Sequence, residues 1–309
     1  MELTIGTVGD DRKREDRTVK RDDLTDATCG IAQALGVVGD WWTFLVVREV
    51  AGGTTRFEGI QGTLGISRRA LTERLGHLVE HGVLARTPYS ERPPRHDYLL
   101  TAKGEGLLPV LLALQEFGDR HVLGDGAVTA TAAASSAEAR RVHDLVGSTV
   151  TDIGLPAHTG DEVRLRPVDG WRVAYFFPGA FAPGTAYPAG WGDIPGAAGC
   201  TLESTTYAAH HEKFVAAGAD VVGISSQRTD QQAAFAEHAD LPFPLLSDVD
   251  LRVGTALRLP AFRVAGADRY KRQTLLLDPT GTVRHAQMPI TDPAGAVAEM
   301  LDAARALMV

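Results

Sequence analysis

A chain of 309 residues is long for one hydrophobic core, which predicts two domains, and its 44% hydrophobic and 23% charged residues are those of an ordinary globular protein. Two cysteines exclude a disulfide framework and point to a reducing, cytoplasmic setting in which thiol chemistry is catalytic or sensory. No apolar run approaches the roughly 20 residues that span a bilayer, and no apolar core follows the first basic residues, so neither a membrane partner nor a signal peptide is expected.

The net charge of −8 argues against nucleic acid for the chain as a whole. Residues 56–103 reverse that balance. There Arg56, Arg68, Arg69, Arg74, Arg86, Arg92, Arg95 and Lys103 stand against Glu58, Glu73, Glu80, Glu91 and Asp97, a local footprint compatible with DNA.

Residues 1–24 read as a flexible arm. Asp40 is placed to cap an apolar helix, WWTFLVVREVAGG, that Gly52 and Gly53 end. The short amphipathic RFEGIQGTLG follows. The next helix, ISRRALTERLGHLVEHGVL, has Ser67 as N-cap and Leu71, Leu75, Leu78 and Val79 on one face. Two β-like runs, VLARTPY and RHDYLLT, are joined by SERPP, whose prolines and charges keep an edge ribbon from pairing with other chains. From Thr101 one further helix is expected over AKGEGLLPVLLALQEFGDRHV.

Helix, helix, turn, helix and ribbon is the order of a winged helix-turn-helix. Its second motif helix exposes Arg68, Arg69, Thr72 and Arg74 for the major groove, and Arg92 and Arg95 lie at the wing tip for flanking backbone or minor groove. With Arg56 and Ser67 these form the expected DNA-binding set. A solvated basic helix beside a hairpin fits the same residues.

The stretch 123–144, rich in Ala, Ser, Thr and Gly, reads as a linker or loosely packed helical connector. From 145 to 309 strands and helices alternate. WRVAYFFP (171–178) and DVVGISS (220–226) are apolar enough for central strands, with a helix between them from about Thr201 to Ala217. DQQAAFAEHA is helical, FPLLSD extended, RQTLLLDPTGTVRHA a hairpin with a DPTG turn, and PAGAVAEMLDAARALM a closing helix. The fold class is therefore an α+β winged helix-turn-helix domain over 25–122, followed by an α/β domain with a mixed sheet, thioredoxin-like.

Cys200 lies where a strand-end loop, PGAAGCTLEST, becomes a helix. Unpaired amides and the positive helix end favour an anion there, which lowers the pKa of a thiol and activates it as a nucleophile. Gly199 leaves room for a reagent to approach. An inert buried thiol is the plainer alternative.

Two resemblances sharpen these expectations. CGIAQALGVVGDWWTFLVVREV, GTTRFEGIQ, GISRRALTERLGHLVEHGVLAR and PPRHDYLLTAKG, over about residues 25–122, closely resemble the HxlR-type winged-helix transcription regulators. That resemblance implies a homodimer joined through terminal helices and a double-stranded DNA operator of two half-sites. It also puts Cys29 where some members carry an oxidant-sensing cysteine; a structural role in a dimer-forming helix is the alternative.

LPAHTGDEVRL, VAYFFP, GCTLES, FPLLSDVD and KRQTLLLDPTG, over about 145–309, are similar to peroxiredoxins, nearest the bacterioferritin-comigratory branch. The resemblance implies that Cys200 is the peroxidatic cysteine, that Arg272 holds its thiolate and polarises the peroxide, and that an external thiol acts as reductant. The sequence also departs from that pattern. Ala197 stands where the family has a peroxide-binding Thr or Ser, Asp193 where a proline is expected, and residues 179–194 look inserted. Thr205 occupies the position of a second cysteine found in relatives, so a sulfenic acid at Cys200 must be resolved by an external thiol, by Cys29, or by nothing.

No cofactor and no metal is expected. His210 and His211 are adjacent, not on one helix face, and Ser225 and Ser226 lack a nucleophile elbow. Trp41, Trp42 and Phe44 read as core. The expected function is a redox-responsive transcription regulator; a one-cysteine thiol peroxidase or an inactive redoxin module are the rivals.

Overall fold

Residues 28–308 are described by the computed structural model; the arm expected over 1–24 lies outside them. The first helix, α1 (Gly30–Val38), is followed by α2 (Trp41–Ala51), whose Asp40 cap accepts from the Thr43 amide at 3.1 Å. Helix α2 buries Thr43, Val46, Val47, Glu49 and Val50. Helix α3 (Phe57–Leu64) ends at Gly65, in the left-handed region at φ +63 where a side chain is strained. Helix α4 (Arg68–Glu80) starts as the sequence predicts: the Ser67 hydroxyl accepts from the Ala70 amide, and Leu71, Leu75 and Leu78 turn inward. They meet Val46, Ile60, Ile66 and the start of an antiparallel ribbon, β1 (Leu84–Glu91) with β2 (Pro94–Leu100).

The single helix expected after Thr101 is two, α5 (Ala102–Glu105) and α6 (Leu108–Phe117). Pro109 is the reason. It has no amide to donate and its ring clashes with a carbonyl four residues back, so it is accommodated only in a helix's first turn. A π-helical turn, Gly118–Val122, closes α6.

The stretch read as a linker or loosely packed helical connector does carry a helix, and it is tightly packed. Ser136 caps α7 (Ala137–His143), whose Ala139 and Val142 are fully buried in the main core of the C-terminal half. Small side chains, taken as a sign of loose packing, are what lets this backbone lie against its neighbours.

A small antiparallel pair, β3 (Gly154–Pro156) with β4 (Glu162–Arg164), precedes the main sheet. Its central strand is β5 (Trp171–Phe176). Beside it run β6 (Ala219–Ser225) and β7 (Leu245–Ser247), parallel, and β10 (Gln273–Leu277) with β11 (Val283–Gln287), antiparallel, in the order β11-β10-β5-β6-β7. Val173 and Tyr175 of β5 face one apolar layer, with α8 (Cys200–Ala216), α9 (Thr229–His238) and α11 (Pro293–Leu307). Ala174 and Phe176 face the other, with α7 and α10 (Arg252–Ala256). Coverage on both faces explains the unbroken apolar run in the sequence.

A hairpin that sequence patterning did not reveal, β8 (Ala261–Val264) with β9 (Ala267–Tyr270), turns through Ala265 and Gly266, both at positive φ. Each strand has only four residues, and alanine is not the residue such a turn usually announces itself by.

The two halves are in contact. Glu49 of α2, 3% exposed, binds Arg48 and also Arg258, at 2.8 Å, from the far half. The Gln115 side chain donates to the Leu259 carbonyl at 2.9 Å, Arg141 binds Asp119 at 2.9 Å, and Leu112 packs with Leu251 and Ala261. Among the described residues no single helix is long and apolar enough to cross a membrane. Glu49→Ala leaves two guanidinium groups short of their buried carboxylate and is expected to destabilise the protein by about 1–3 kcal/mol, seen as a lower urea midpoint; an unchanged midpoint would show that the contact carries no stability.

Candidate functional site

Gly199 precedes α8 at φ +107, and a Cβ there would meet Pro293 at 3.0 Å and approach the Arg272 guanidinium. Only glycine fits this approach without strain. Cys200 follows as the first helical residue, 3% exposed. Its Sγ lies 3.4 Å from an Arg272 Nη2 that donates to it, its thiol donates to the Ala197 carbonyl at 3.5 Å, and the Gly179 amide donates to the sulfur. Arg272, at the head of β10, is 1% exposed and is held on its other side by the Glu203 carboxylate. The same Nη2 reaches the carbonyls of Gly196 and Ala198, each at 3.3 Å. One guanidinium thus ties thiol, carboxylate and loop together.

A cleft of about 540 Å³ opens over the sulfur, lined by Gly179, Phe181, Tyr187, Trp191 and Ala197 among others. The segment 179–194, read as an insertion, supplies its aromatic wall: the Phe181 ring lies 4.9 Å from Tyr187 and 5.4 Å from Trp191. Ala197 lines the cleft with a methyl group and brings no hydroxyl to it. Thr205 is exposed on α8 and donates to the carbonyls of Thr201 and Leu202.

At the other end of the molecule Arg68, Arg69 and Thr72 lie exposed on α4. Arg68 stacks over Phe57 at 4.9 Å, Arg69 pairs with Glu73, and the Thr72 hydroxyl donates to the Arg68 carbonyl. Arg74 departs from expectation. It is half-buried and binds Asp40 at 2.9 Å, the carboxylate that also caps α2, because position 74 turns toward α2 rather than to solvent. Arg56 is exposed, 4.5 Å over the Tyr89 ring and 3.4 Å from Asp97, and so clips α3 to the ribbon. Arg92 and Arg95 are exposed at the ribbon tip and form no ion pair among the described residues. The one group of potential metal ligands among those residues is His77, Glu80 and His81, not His210 and His211; the His77 and His81 rings bind the carbonyls of Val37 and His77.

A family model described as HxlR-like helix-turn-helix matches residues 37–124, and one described as AhpC/TSA family matches residues 194–286. The chain joins an HxlR-like helix-turn-helix domain to a peroxiredoxin-like domain of the AhpC/TSA family. An HTH-type transcriptional regulator of Mycobacterium tuberculosis is 41% identical over 92 residues, which are 30% of this chain and 58% of that protein. The chain therefore spans somewhat over half the length of the mycobacterial regulators it matches. Peroxiredoxin Bcp of Escherichia coli is 29% identical over 143 residues, 45% of this chain and 82% of its own. The crystal structure of peroxidoxin BcpB from Mycobacterium tuberculosis aligns at 28% identity with a TM-score of 0.44, covering 52% of this chain and 97% of that one.

In the peroxiredoxin-like domain the electrostatics overturn one expectation. Burial pushes the Cys200 thiol up, against the downward pull of Arg272 and the Gly179 amide, with Glu203 adding to the rise. The pull of a helix end is outweighed here by the cost of taking the anion out of water: this sulfur has lost its hydration, and its cation is shared with a carboxylate. Cys29 shows the effect that was read for Cys200: exposed at the start of α1, its thiol is pulled down by the amides of Ala32 and Ile31. Burial likewise pushes the Glu203 carboxyl up to about 7 in spite of Arg272.

Sequence reasoning brought Cys200 and Arg272 together and missed Glu203 and Gly179. Glu203 had a signal, its three-residue spacing from Cys200 on a helix. The Gly179 amide had none. Cys29 is expected to be alkylated by iodoacetamide at lower pH than Cys200, followed by mass spectrometry of each thiol. Arg272→Met removes a cation that favours thiolate, so it moves the Cys200 profile further to high pH; a Cys200 profile below that of Cys29 would contradict this electrostatic picture.

Proposed function

We propose that this protein is a redox-responsive DNA-binding transcription regulator whose peroxiredoxin-like domain reacts with peroxide through Cys200. The carrying observation is the Cys200 sulfur 3.4 Å from the buried Arg272, beneath an open cleft. The thiolate attacks one peroxide oxygen; an S–O bond forms as the O–O bond breaks. The departing oxygen takes a proton and leaves as water or alcohol, the sulfur having lost two electrons to become a sulfenic acid. Arg272 stabilises the thiolate and the charge developing on the peroxide, and Glu203 fixes the guanidinium.

Three features favour a sensor over a fast peroxidase. Burial disfavours the thiolate that must attack, Ala197 brings no hydroxyl to the peroxide, and the domain holds no second cysteine to resolve the product. The reductant is then an external thiol or Cys29.

Arg68, Arg69 and Thr72 on α4 meet the major groove, with Arg56, Arg92 and Arg95 on flanking phosphates, while Ser67 and Arg74 hold the helix in place. The DNA is a double-stranded operator of two half-sites bound by a homodimer. Ile31 and Trp41, 74% and 62% exposed, and Phe117 and Val122 beyond them supply apolar surface near both ends of the HxlR-like domain for the second copy. The connector 123–144 belongs with the peroxiredoxin-like domain, whose core it enters.

The test is titration of a duplex selected from a random pool with reduced and peroxide-treated protein. Affinity changes on oxidation in the wild type and not in Cys200→Ser. Stoichiometric peroxide consumption identifies a sensor, whereas sustained turnover with a thiol donor identifies a peroxidase. Arg68→Ala with Arg69→Ala weakens binding by about 10–100-fold and flattens its salt dependence; unchanged affinity and slope would remove α4 from the interface.

A further inference from the structure

The connector does more than join the two domains: it runs between the two strands of chain that build the thiol site. Ala130 is fully buried, its amide donates to the Pro195 carbonyl at 2.9 Å, and its carbonyl accepts from the Arg272 amide at 2.8 Å. One residue thus bridges the loop that leads to Cys200 and the strand that carries Arg272. Its neighbours repeat the attachment. The Lys271 ammonium donates to the Thr129 hydroxyl at 3.3 Å, the Thr131 hydroxyl donates to the Ile290 carbonyl at 3.3 Å, and a Cβ on Gly196 would meet Thr131 at 3.2 Å. The Ala130 methyl packs with Phe181, Trp191, Ala197 and Phe262 behind the cleft.

Toward the HxlR-like domain the connector is just as short-tethered. The Arg120 side chain donates to the Gly126 carbonyl at 2.7 Å, and the Gly126 amide donates to the Arg120 carbonyl at 2.9 Å. Arg120 belongs to the π-helical turn that ends α6. Three residues, 127–129, separate Gly126, which grips that turn, from Ala130, which grips the Cys200 loop.

We propose that residues 128–131 are a strap through which the oxidation state of Cys200 reaches the HxlR-like domain. This rests on the peroxide reaction above. Within the loop 196–200 one Arg272 Nη2 reaches two carbonyls and the sulfur. When the sulfur gains an oxygen from the peroxide and becomes a sulfenic acid, the hydrogen bond that Arg272 donates to it must rearrange, and the added oxygen needs space in a packed site. The loop moves, the Pro195 carbonyl moves with it, and the Ala130 amide loses its acceptor. Tension or slack in the strap then passes to the end of α6.

The experiment uses the full chain in a Cys29→Ser background, with Cys200→Ser as control and a flexible Gly-Gly-Ser insertion, three repeats long, between Gly126 and the exposed Ala127, inside the stretch that joins the two grips. After peroxide treatment, Cys200 oxidation is read by mass, amide exchange is read over 128–131, and DNA affinity by titration. The strap predicts faster exchange over 128–131 and an affinity change of at least about fivefold in the uninserted protein. With the insertion, oxidation and faster exchange persist and the affinity change falls below about twofold, since slack no longer transmits. Oxidation without altered exchange, or a full affinity change in the inserted protein, overturns the strap and leaves the peroxide reaction standing. A Cys200 that gains no oxygen overturns that reaction and the strap with it.

Discussion

A guanidinium that is 1% exposed has to be neutralised where it stands, because taking an ion out of water costs several kcal/mol. Around Arg272 that requirement organises everything else. Glu203 supplies the carboxylate partner, three residues along α8 from Cys200. The carbonyls of Gly196 and Ala198 take donors that the carboxylate leaves, which bends the preceding loop over the guanidinium. Cys200 receives what remains, and Gly199 before it is held at φ +107 with Pro293 3.0 Å from where a Cβ would stand. Sheet, helix and loop converge on one cation, and the cleft is the space left in front of it.

The two cysteines show how environment divides one chemistry. Both stand at the start of a helix, where amides favour an anion. At Cys29 the exposed thiolate keeps its hydration and the amides of Ala32 and Ile31 outweigh what burial there is, so its thiol is pulled down. At Cys200 burial dominates, and a strong cation compensates only in part because Glu203 already claims it. The buried thiol has the better-built site and the exposed one the lower barrier to ionisation.

Packing between the domains is polar at its edge and apolar within. Glu49 and Arg258 meet beside the contact of Leu112 with Leu251 and Ala261. Strand β8 serves both sides: Ala261 touches α6, and its neighbour Phe262 packs behind the cleft with Trp191 and Ala197. Alternation along a strand sends successive side chains to opposite faces, so adjacent residues of one strand touch the two functional regions.

Much of this was legible in the residues. Asp40 and Ser67 announced their helices because capping is a local matter of one side-chain oxygen and the amides two or three residues on. The apolar run of β5 announced a central strand, and the Leu71, Leu75 and Leu78 spacing an inward face. Cys200 and Arg272 were paired through family motifs, although 72 residues separate them. What local pattern could not carry was anything set by distant neighbours. Arg74 lay on the basic face by composition, and only the packing of α4 on α2 turned it to Asp40. The direction of the Cys200 shift depended on how much water the fold removes and on a carboxylate competing for the same cation. The Ala-rich connector carried no sign of its course, because its grip on the site is made by backbone amide and carbonyl groups that every residue possesses; side-chain identity determined where helices begin and that each thiol starts one, and tertiary proximity decided which charges met and which backbone crossed the site.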